Sequence, residues 1–240
     1  MKRIADQSQH FLQSPRLVAE LVGHSNIRKN DTVLDIGAGS GIISGILAGR
    51  CKQVVAYEPD TRLLPTLKQN LSKHQNVTIK NEDFLSTELP TTPYKVFANI
   101  PFHLSSPILK KLTETNHPPK SIYLIVQKQF AHKLLIDDRR FTGLLGAQIA
   151  PLFTTRIRRP LRKTDYYPHP AVDTVLIEIK LREQPLIAPE KLPAYRSLVA
   201  DCFATPAKFS KHASLIISKH PEIKPSNLTA YEWVSVFNAR

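Results

Sequence analysis

Only two cysteines occur in 240 residues, Cys51 and Cys202, far apart and with no metal-ligand spacing between them. A disulfide scaffold and a cysteine-built metal centre are therefore excluded, and a reducing, cytoplasmic compartment is the expected setting. No apolar run approaches the roughly 18 residues that a membrane-spanning helix needs. Residues 1–7 carry basic side chains but no apolar segment follows them, so no signal peptide is expected. Internal repeats and low-complexity tracts are also lacking. Acidic residues are scarce, 20 Asp+Glu against 33 Lys+Arg, a formal net charge of +13.

What is present is ordinary globular material. The chain is 42 % hydrophobic and 22 % charged, enough to build a core and against disorder. Its length fits one large domain, or one of about 150–190 residues with a small appendage. The positive excess favours a polyanionic partner, nucleic acid or an anionic membrane surface. Its distribution sharpens that choice. Arg139, Arg140, Arg156, Arg158, Arg159, Arg162 and Lys163 fall in one stretch with no acidic residue between them. Pro151 and Pro160 interrupt any basic amphipathic helix there, so nucleic acid is expected rather than a membrane.

From residue 30 onward, β-rich runs alternate with helical stretches. Strands are expected at 32–36, 53–58, 76–80, 94–99, 121–126 and 174–179, with helices at 42–48 and 61–73. This alternation implies βαβ units and a parallel, doubly wound sheet, an α/β fold. After Arg182 the texture becomes proline-punctuated and helical, with helices expected at 192–203 and 208–219. A catalytic domain over 1–182 and a small helical domain over 183–240, supporting RNA binding, are the expected division.

Asp35-Ile36-Gly37-Ala38-Gly39-Ser40-Gly41 stands where the first of these strands turns into a helix. Glycines there permit φ > 0 and a close approach of ligand to backbone. Glu58 ends the next strand, 21 residues after Gly37, where a carboxylate can accept from both hydroxyls of a ribose. Asp35 is placed either to hold the turn or to reach a ligand's amino group. The Gly-x-Gly-x-Gly spacing resembles the turn of the class I methyltransferases, whose cofactor is S-adenosylmethionine. In that resemblance Asp83, after the third strand, accepts from the adenine amino group; a helix N-cap is its alternative reading.

Asn99-Ile100-Pro101-Phe102 ends the fourth strand. An exocyclic amine is a poor nucleophile because its lone pair is delocalised into the ring. Two acceptors aimed at its N–H groups draw the nitrogen toward tetrahedral geometry. The Asn99 side-chain oxygen and a neighbouring backbone carbonyl can supply them, with Pro101 fixing the turn. Phe102 offers a face for an extruded base, and such stacking is worth roughly 1–3 kcal/mol.

With these motifs the chain resembles the rRNA adenine N6-methyltransferases, the Erm enzymes and the small-subunit rRNA dimethyladenosine transferases, from Ser8 to about Arg182. Ser8-Gln9-His10-Phe11-Leu12 is similar to the family's Gln-Asn-Phe-Leu motif, which implies cofactor contacts from His10 and Leu12; His10 replaces the usual Asn, so only the backbone contact carries over. Gln127-Lys128-Gln129-Phe130-Ala131 resembles Gln-x-Glu-Phe/Val-Ala, with Gln129 in place of the acid. Tyr167-Pro168-His169-Pro170-Ala171-Val172-Asp173 resembles Phe-x-Pro-x-Pro-x-Val-Asp, which implies that Tyr167 lies over the target base. The implied site is therefore Asn99, Ile100, Pro101, Phe102 and Tyr167 for catalysis, and His10, Leu12, Gly37, Gly39, Glu58, Asp83 and Asn99 for the cofactor.

Asn-Ile-Pro-Phe and Gln-His-Phe-Leu look more like the Erm group, as does the junction Arg182-Glu183-Gln184-Pro185-Leu186-Ile187. The resemblance thus favours N6-methylation of 23S rRNA with resistance to macrolides, lincosamides and streptogramin B. The alternative is 16S rRNA dimethyladenosine transfer in small-subunit biogenesis. A non-catalytic RNA-binding protein would predict a damaged glycine turn or tetrapeptide, and both are intact. A small-molecule or protein methyltransferase leaves the charge and Asn99–Phe102 unexplained, and a DNA enzyme would want a sequence-reading module. His24, His74, His117 and His132 are scattered, so no metal is expected, and the protein is expected to be a monomer.

Overall fold

The structure is a computed structural model that describes residues 10–136 and 141–239. Ser8 and Gln9 of the N-terminal motif and Arg139 and Arg140 of the basic stretch lie outside the described residues.

Seven strands form the main sheet: β2 (Thr32–Ile36), β3 (Gln53–Tyr57), β4 (Val77–Lys80), β5 (Lys95–Asn99), β6 (Ser121–Gln127), β7 (Phe153–Leu161) and β9 (Thr174–Leu181). Their order is β4-β3-β2-β5-β6-β9-β7, and β4, β3, β2, β5 and β6 pair in parallel. The central strands are continuously apolar because helices cover both faces of such a sheet. Val33, Leu34, Val54, Val96, Phe97, Ala98, Ile122 and Leu124 are all fully buried. Helices α1 (Pro15–Gly23) and α2 (Ile42–Ala48) pack together on one side, where Val18, Leu21, Ile43 and Leu47 meet the sheet. Helices α3 (Leu64–Leu71) and α4 (Ser105–Thr113) complete the βαβ crossovers.

The strand register determines where the site falls. Ile36 pairs with Tyr57 and Asn99 with Ile125, so the carboxyl ends of β2, β3 and β5 lie at one edge of the sheet. The loops leaving these ends carry the glycine turn, Glu58 and the tetrapeptide. In open α/β sheets that edge is where ligands bind.

Most expected elements are present, with altered ends. The helix expected over 61–73 is confined to Leu64–Leu71, with Pro65 in its first turn, where a missing N–H is harmless. The helix expected over 208–219 is two, α8 (Pro206–His212) and α9 (Ser214–Ile217), separated at Ala213. Three strands were not expected. β1 (Phe11–Leu12) and β8 (Tyr166–Tyr167) form a separate antiparallel pair. β7 runs through Pro160, which the sheet tolerates because β7 is its edge strand.

The chain divides into two compact units, residues 1–128 with 157–179, and residues 129–156 with 180–240. A single boundary near 182 therefore misplaces the segment that includes most of α5 (Lys128–Leu134) and all of α6 (Leu144–Ile149). In the second unit, Tyr195 of α7 (Leu192–Ala204) is fully buried and its hydroxyl donates to the Ala147 carbonyl of α6 at 2.9 Å. Gln148 Nε2 donates to the Arg196 carbonyl at 3.1 Å. These bonds tie the earlier segment to the C-terminal helices, a link that a change of texture along the chain does not reveal. The core of this unit is Trp233 of α10 (Ala230–Asn238), stacked on Phe203 at 5.9 Å and 19°. A capping box starts α10: Thr229 accepts from the Glu232 N–H while Glu232 accepts from the Thr229 N–H.

Candidate active site

A cleft with about 730 Å³ of empty space, open mouth included, lies at the carboxyl edge of the first unit's strands. Gly37, Gly39, Glu58 and Asp83 line one part of it, and Asn99 to Phe102 another, with His10 and Phe11 also in its wall.

The glycine turn is held from below. The N–H groups of Gly37 and Ala38 both donate to the Tyr57 carbonyl, at 2.9 and 3.0 Å. Gly39 has φ +57°, and a Cβ built on it would lie 2.9 Å from the Phe11 ring. Glycine is thus required twice there, by the backbone and by the aromatic cover. Glu58, 2 % exposed, accepts from the Gly39 N–H at 2.7 Å and from the Asp60 N–H at 2.9 Å. Each carboxylate oxygen retains a second acceptor site for a hydroxyl from the cleft.

Asp35 resolves its two readings. It is fully buried, outside the cleft wall, and accepts from Ser44 Oγ at 2.6 Å. It holds the turn against α2 and does not reach a ligand. Burial, with the nearby Glu58 charge adding to it, pushes its carboxyl up to about 7. Among the described residues, its Oδ1 has no hydrogen-bond partner.

Asp83 lines the cleft and also caps the short turn Phe84–Ser86, accepting from the Leu85 N–H at 2.9 Å. The cap is thus present, and capping does not remove Asp83 from the cleft wall. Asn99 directs Nδ2 at the backbone carbonyl of His10, 2.7 Å away, so its amide is locked and Oδ1 is its remaining polar atom. The Pro101 carbonyl already accepts from the Leu104 N–H at 2.9 Å, so Ile100 supplies the neighbouring carbonyl with fewer commitments.

Two expected site residues fall elsewhere. Leu12 is 5 % exposed and packs in the core below β1, not in the cleft wall. Tyr167 is 69 % exposed and outside the lining; it pairs with Phe11 across β1 and β8. The alternation of a strand explains the first: with Phe11 turned to the cleft, Leu12 must face the other side. Tyr57 and Phe84 were missed, although each adjoins an acid that was singled out. Their rings meet edge to face at 5.3 Å and 75° in the wall. Lys111 of α4 was missed too; it donates to the Leu85 carbonyl at 2.9 Å and also to the Thr87 carbonyl, pinning the loop after Asp83.

The basic stretch is partly neutralised. Arg158 lies 3.8 Å from Glu178 and Arg159 pairs with Glu20, while Lys163 donates to the Ala171 carbonyl at 2.8 Å. Among the described residues, no helix is long and apolar enough to cross a membrane and no cluster of His, Cys, Asp or Glu is arranged to hold a metal.

The sheet order and a glycine turn at the end of β2 define a Rossmann-like methyltransferase. The chain belongs to the ribosomal RNA adenine dimethylase family, whose model matches residues 2–213; the family uses S-adenosylmethionine. Small subunit methyltransferase A of Streptococcus thermophilus LMD-9 is 32 % identical over 189 residues, 75 % of this chain and 65 % of that relative. The match thus spans somewhat under two thirds of the relative's length. The Latilactobacillus sakei protein of the same name is 30 % identical over 206 residues, 82 % of this chain and 69 % of its own length. The crystal structure of the 23S rRNA methyltransferase ErmE has a TM-score of 0.82 at 25 % identity, covering 95 % of this chain and 98 % of that one. A dimethyladenosine transferase from Plasmodium falciparum has the same fold, with a TM-score of 0.79 at 19 % identity over 96 % and 97 % of the two chains.

The buried acid gives a prediction with a definite sign. Asp35 has a folded pKa near 7 against an unfolded value near 3.8, so between those values the folded state holds the extra proton. Stability drawn from this group then falls as pH rises from about 4 to 7 and levels off above. Asp35→Asn keeps an acceptor for Ser44 and removes the titration. Its unfolding free energy relative to the parent chain should rise across that window, by on the order of 1–3 kcal/mol, in denaturant titrations at pH 4.5 and 8. A difference independent of pH would show that Asp35 ionises normally.

Proposed function

We propose that this chain transfers a methyl group to N6 of an adenine in ribosomal RNA, and that the RNA is the 16S RNA of the small subunit, methylated in the cytoplasm. The observation that carries the reaction type is Asn99: its amide is locked by the His10 carbonyl, in the same cleft as the glycine turn and Glu58.

The residues present fit S-adenosylmethionine. Gly37 and Gly39 leave room for the ligand against the turn, Glu58 accepts from its ribose hydroxyls, and Asp83 accepts from its adenine amino group through the oxygen that does not cap Phe84–Ser86. The cofactor supplies a methyl group already activated on a sulfonium, so the chain needs no strong base. Asn99 Oδ1 and the Ile100 carbonyl accept from the two N–H groups of the target amine and draw its lone pair out of conjugation. Phe102, half-buried at the start of the turn after Pro101, stacks on the extruded base. Tyr167, exposed beside Phe11, covers that base only from the rim.

The choice of RNA rests on the relatives. The two compared are named for the small subunit, at 30–32 % identity. A second reading, 23S rRNA with macrolide-lincosamide-streptogramin B resistance, draws on the likeness to ErmE over 98 % of that chain and on Asn-Ile-Pro-Phe. Mass spectrometry of both rRNAs, from cells with and without the gene, separates them. Dimethyladenosine gained in 16S RNA is expected; modification confined to 23S RNA, with co-resistance to the three drug classes, would overturn the first reading.

Two substitutions divide binding from chemistry. Glu58→Gln keeps the side-chain shape but removes the charge, and its one amide oxygen can accept from only one of the Gly39 and Asp60 N–H groups. Charged hydrogen bonds are worth about 1.5–3 kcal/mol, so S-adenosylmethionine affinity by calorimetry should fall tenfold or more. Asn99→Ala should lower kcat at least a hundredfold with cofactor affinity within about twofold, because its acceptor matters most as the amine pyramidalises. Wild-type turnover in Asn99→Ala would end the proposed mechanism.

RNA affinity should fall steeply with salt. Arg162 and Lys163 are better placed to meet phosphate than Arg158 or Arg159, which face Glu178 and Glu20. Charge reversal of Arg162 and Lys163 should flatten the slope of log K against log salt by about 1 to 2; reversal without change would assign these residues to solvated surface.

A further inference from the structure

His10 joins three parts of the cleft. Its backbone carbonyl accepts the Asn99 amide at 2.7 Å, and its imidazole Nδ1 lies 2.8 Å from the Pro168 carbonyl oxygen. Its ring faces that of Phe102 with centroids 5.5 Å apart and planes at 30°, and meets the Tyr166 ring edge-on at 6.5 Å and 81°. A carbonyl oxygen can only accept, so Nδ1 must carry the proton of the neutral ring. Nε2 is then left as an acceptor beside Phe102.

We propose that the His10 side chain is a positioning residue of the target-base site: its Nδ1–H tie to Pro168 holds the carbonyl that orients Asn99, and its ring supports Phe102. This rests on the reading of the cleft as an adenine-N6 methyltransferase site. The connection is short. The residues that follow His10 pair only as the two-residue strand β1, Phe11 with Tyr167 and Leu12 with Tyr166, and Gln13 N–H then donates to Asp165 at 3.2 Å. Among the described residues, the imidazole is thus the side-chain tie on the near side of β1, next to the carbonyl that Asn99 uses. Without it that carbonyl is free to move, the Asn99 amide can rotate, and Oδ1 leaves the position where the amine must be met. Gly37, Glu58 and Asp83 have no hydrogen bond to His10, so loss of the imidazole should act on turnover more than on cofactor affinity.

Two variants separate the tie from the ring. An Asn side-chain amide places its nitrogen close to where the imidazole has Nδ1, so His10→Asn keeps the donor and loses the ring. His10→Phe keeps a ring against Phe102 and loses the donor. His10→Phe should lower kcat on protein-free rRNA about tenfold or more and His10→Asn no more than about threefold. In His10→Phe the loss in kcat should exceed any loss in S-adenosylmethionine affinity. An independent readout needs no turnover: in the ligand-free protein, ¹⁵N NMR should find the neutral His10 ring as the Nδ1–H tautomer, the less common form for histidine in water. Full activity in His10→Phe, an equal loss in both variants, or an Nε2–H ring would overturn the proposal. If instead the parent chain methylates no adenine while the Nδ1–H tautomer is found, the reading of the function fails and the tie itself stands.

Discussion

Glu58 is almost entirely withdrawn from water, and both of its carboxylate oxygens accept backbone N–H groups, from Gly39 and from Asp60. A buried acid without such partners would be costly, so these bonds are the condition under which an acidic group can stand at the end of β3 at all. They also couple two loops. The glycine turn cannot shift without breaking the Gly39 bond, nor the loop into α3 without breaking the Asp60 bond. The neighbouring Asp35 shows the other outcome of burial. It has one hydrogen bond from Ser44, lies close enough to Glu58 to be disfavoured as a charge, and its pKa is driven upward. Two acids a few ångströms from one turn are thus divided by their environments into a site facing the cleft and a support behind it.

The second half of the cleft depends on a connection made across most of the chain. β1 is only two residues long and would have no stability alone. Its pairing with β8 places Phe11 over Gly39 and His10 beside Asn99 and Phe102. One short strand therefore touches both the turn that would hold the cofactor and the tetrapeptide that would hold the amine. The spacing between the glycine turn and the tetrapeptide is set by how β1 sits, and the one glycine that accommodates Phe11 is part of the same setting.

The parts legible in the sequence are those whose signal is local. Val33, Leu34, Val54 and Val96 lie in apolar runs that reveal buried parallel strands, and Gly37 to Gly41 with Glu58 reveal a ligand turn through spacing alone. Asn99 to Phe102 could be placed because it follows such a run in register. What escaped was non-local. Nothing near Phe11 announces pairing with Tyr167, 156 positions later by the register of β1 and β8. For the same reason the face each residue presents was misjudged: Leu12 was assigned to the cofactor and lies in the core, while Phe11 lines the cleft. β7 was obscured by Pro160, a residue that argues against a central strand but not against an edge. The membership of residues 129–156 in the second unit depends on bonds such as Tyr195 to Ala147, which no stretch of texture records.

The choice between ribosomal RNAs has a physical reason to be harder than the choice of reaction. In the proposed reading an exocyclic amine and a flat ring are met by Asn99, Ile100 and Phe102, and every accessible adenine offers both. Selection among adenines must then come from outside the cleft, from surfaces that meet the RNA backbone and its fold. The net charge of +13 supplies attraction to any polyanion, yet salt bridges such as Arg159 with Glu20 and Arg158 with Glu178 withdraw part of it from phosphates. Among the described residues, Arg162 and Lys163 on the segment leading into β8 are exposed and make no ion pair like those of Arg158 and Arg159. That segment continues through Tyr166 and Tyr167 to Pro168, the residue tied to His10. The cations proposed to meet RNA and the residue bonded to His10 therefore lie on one stretch of chain, which gives the proposed choice of RNA a physical route to the proposed target site.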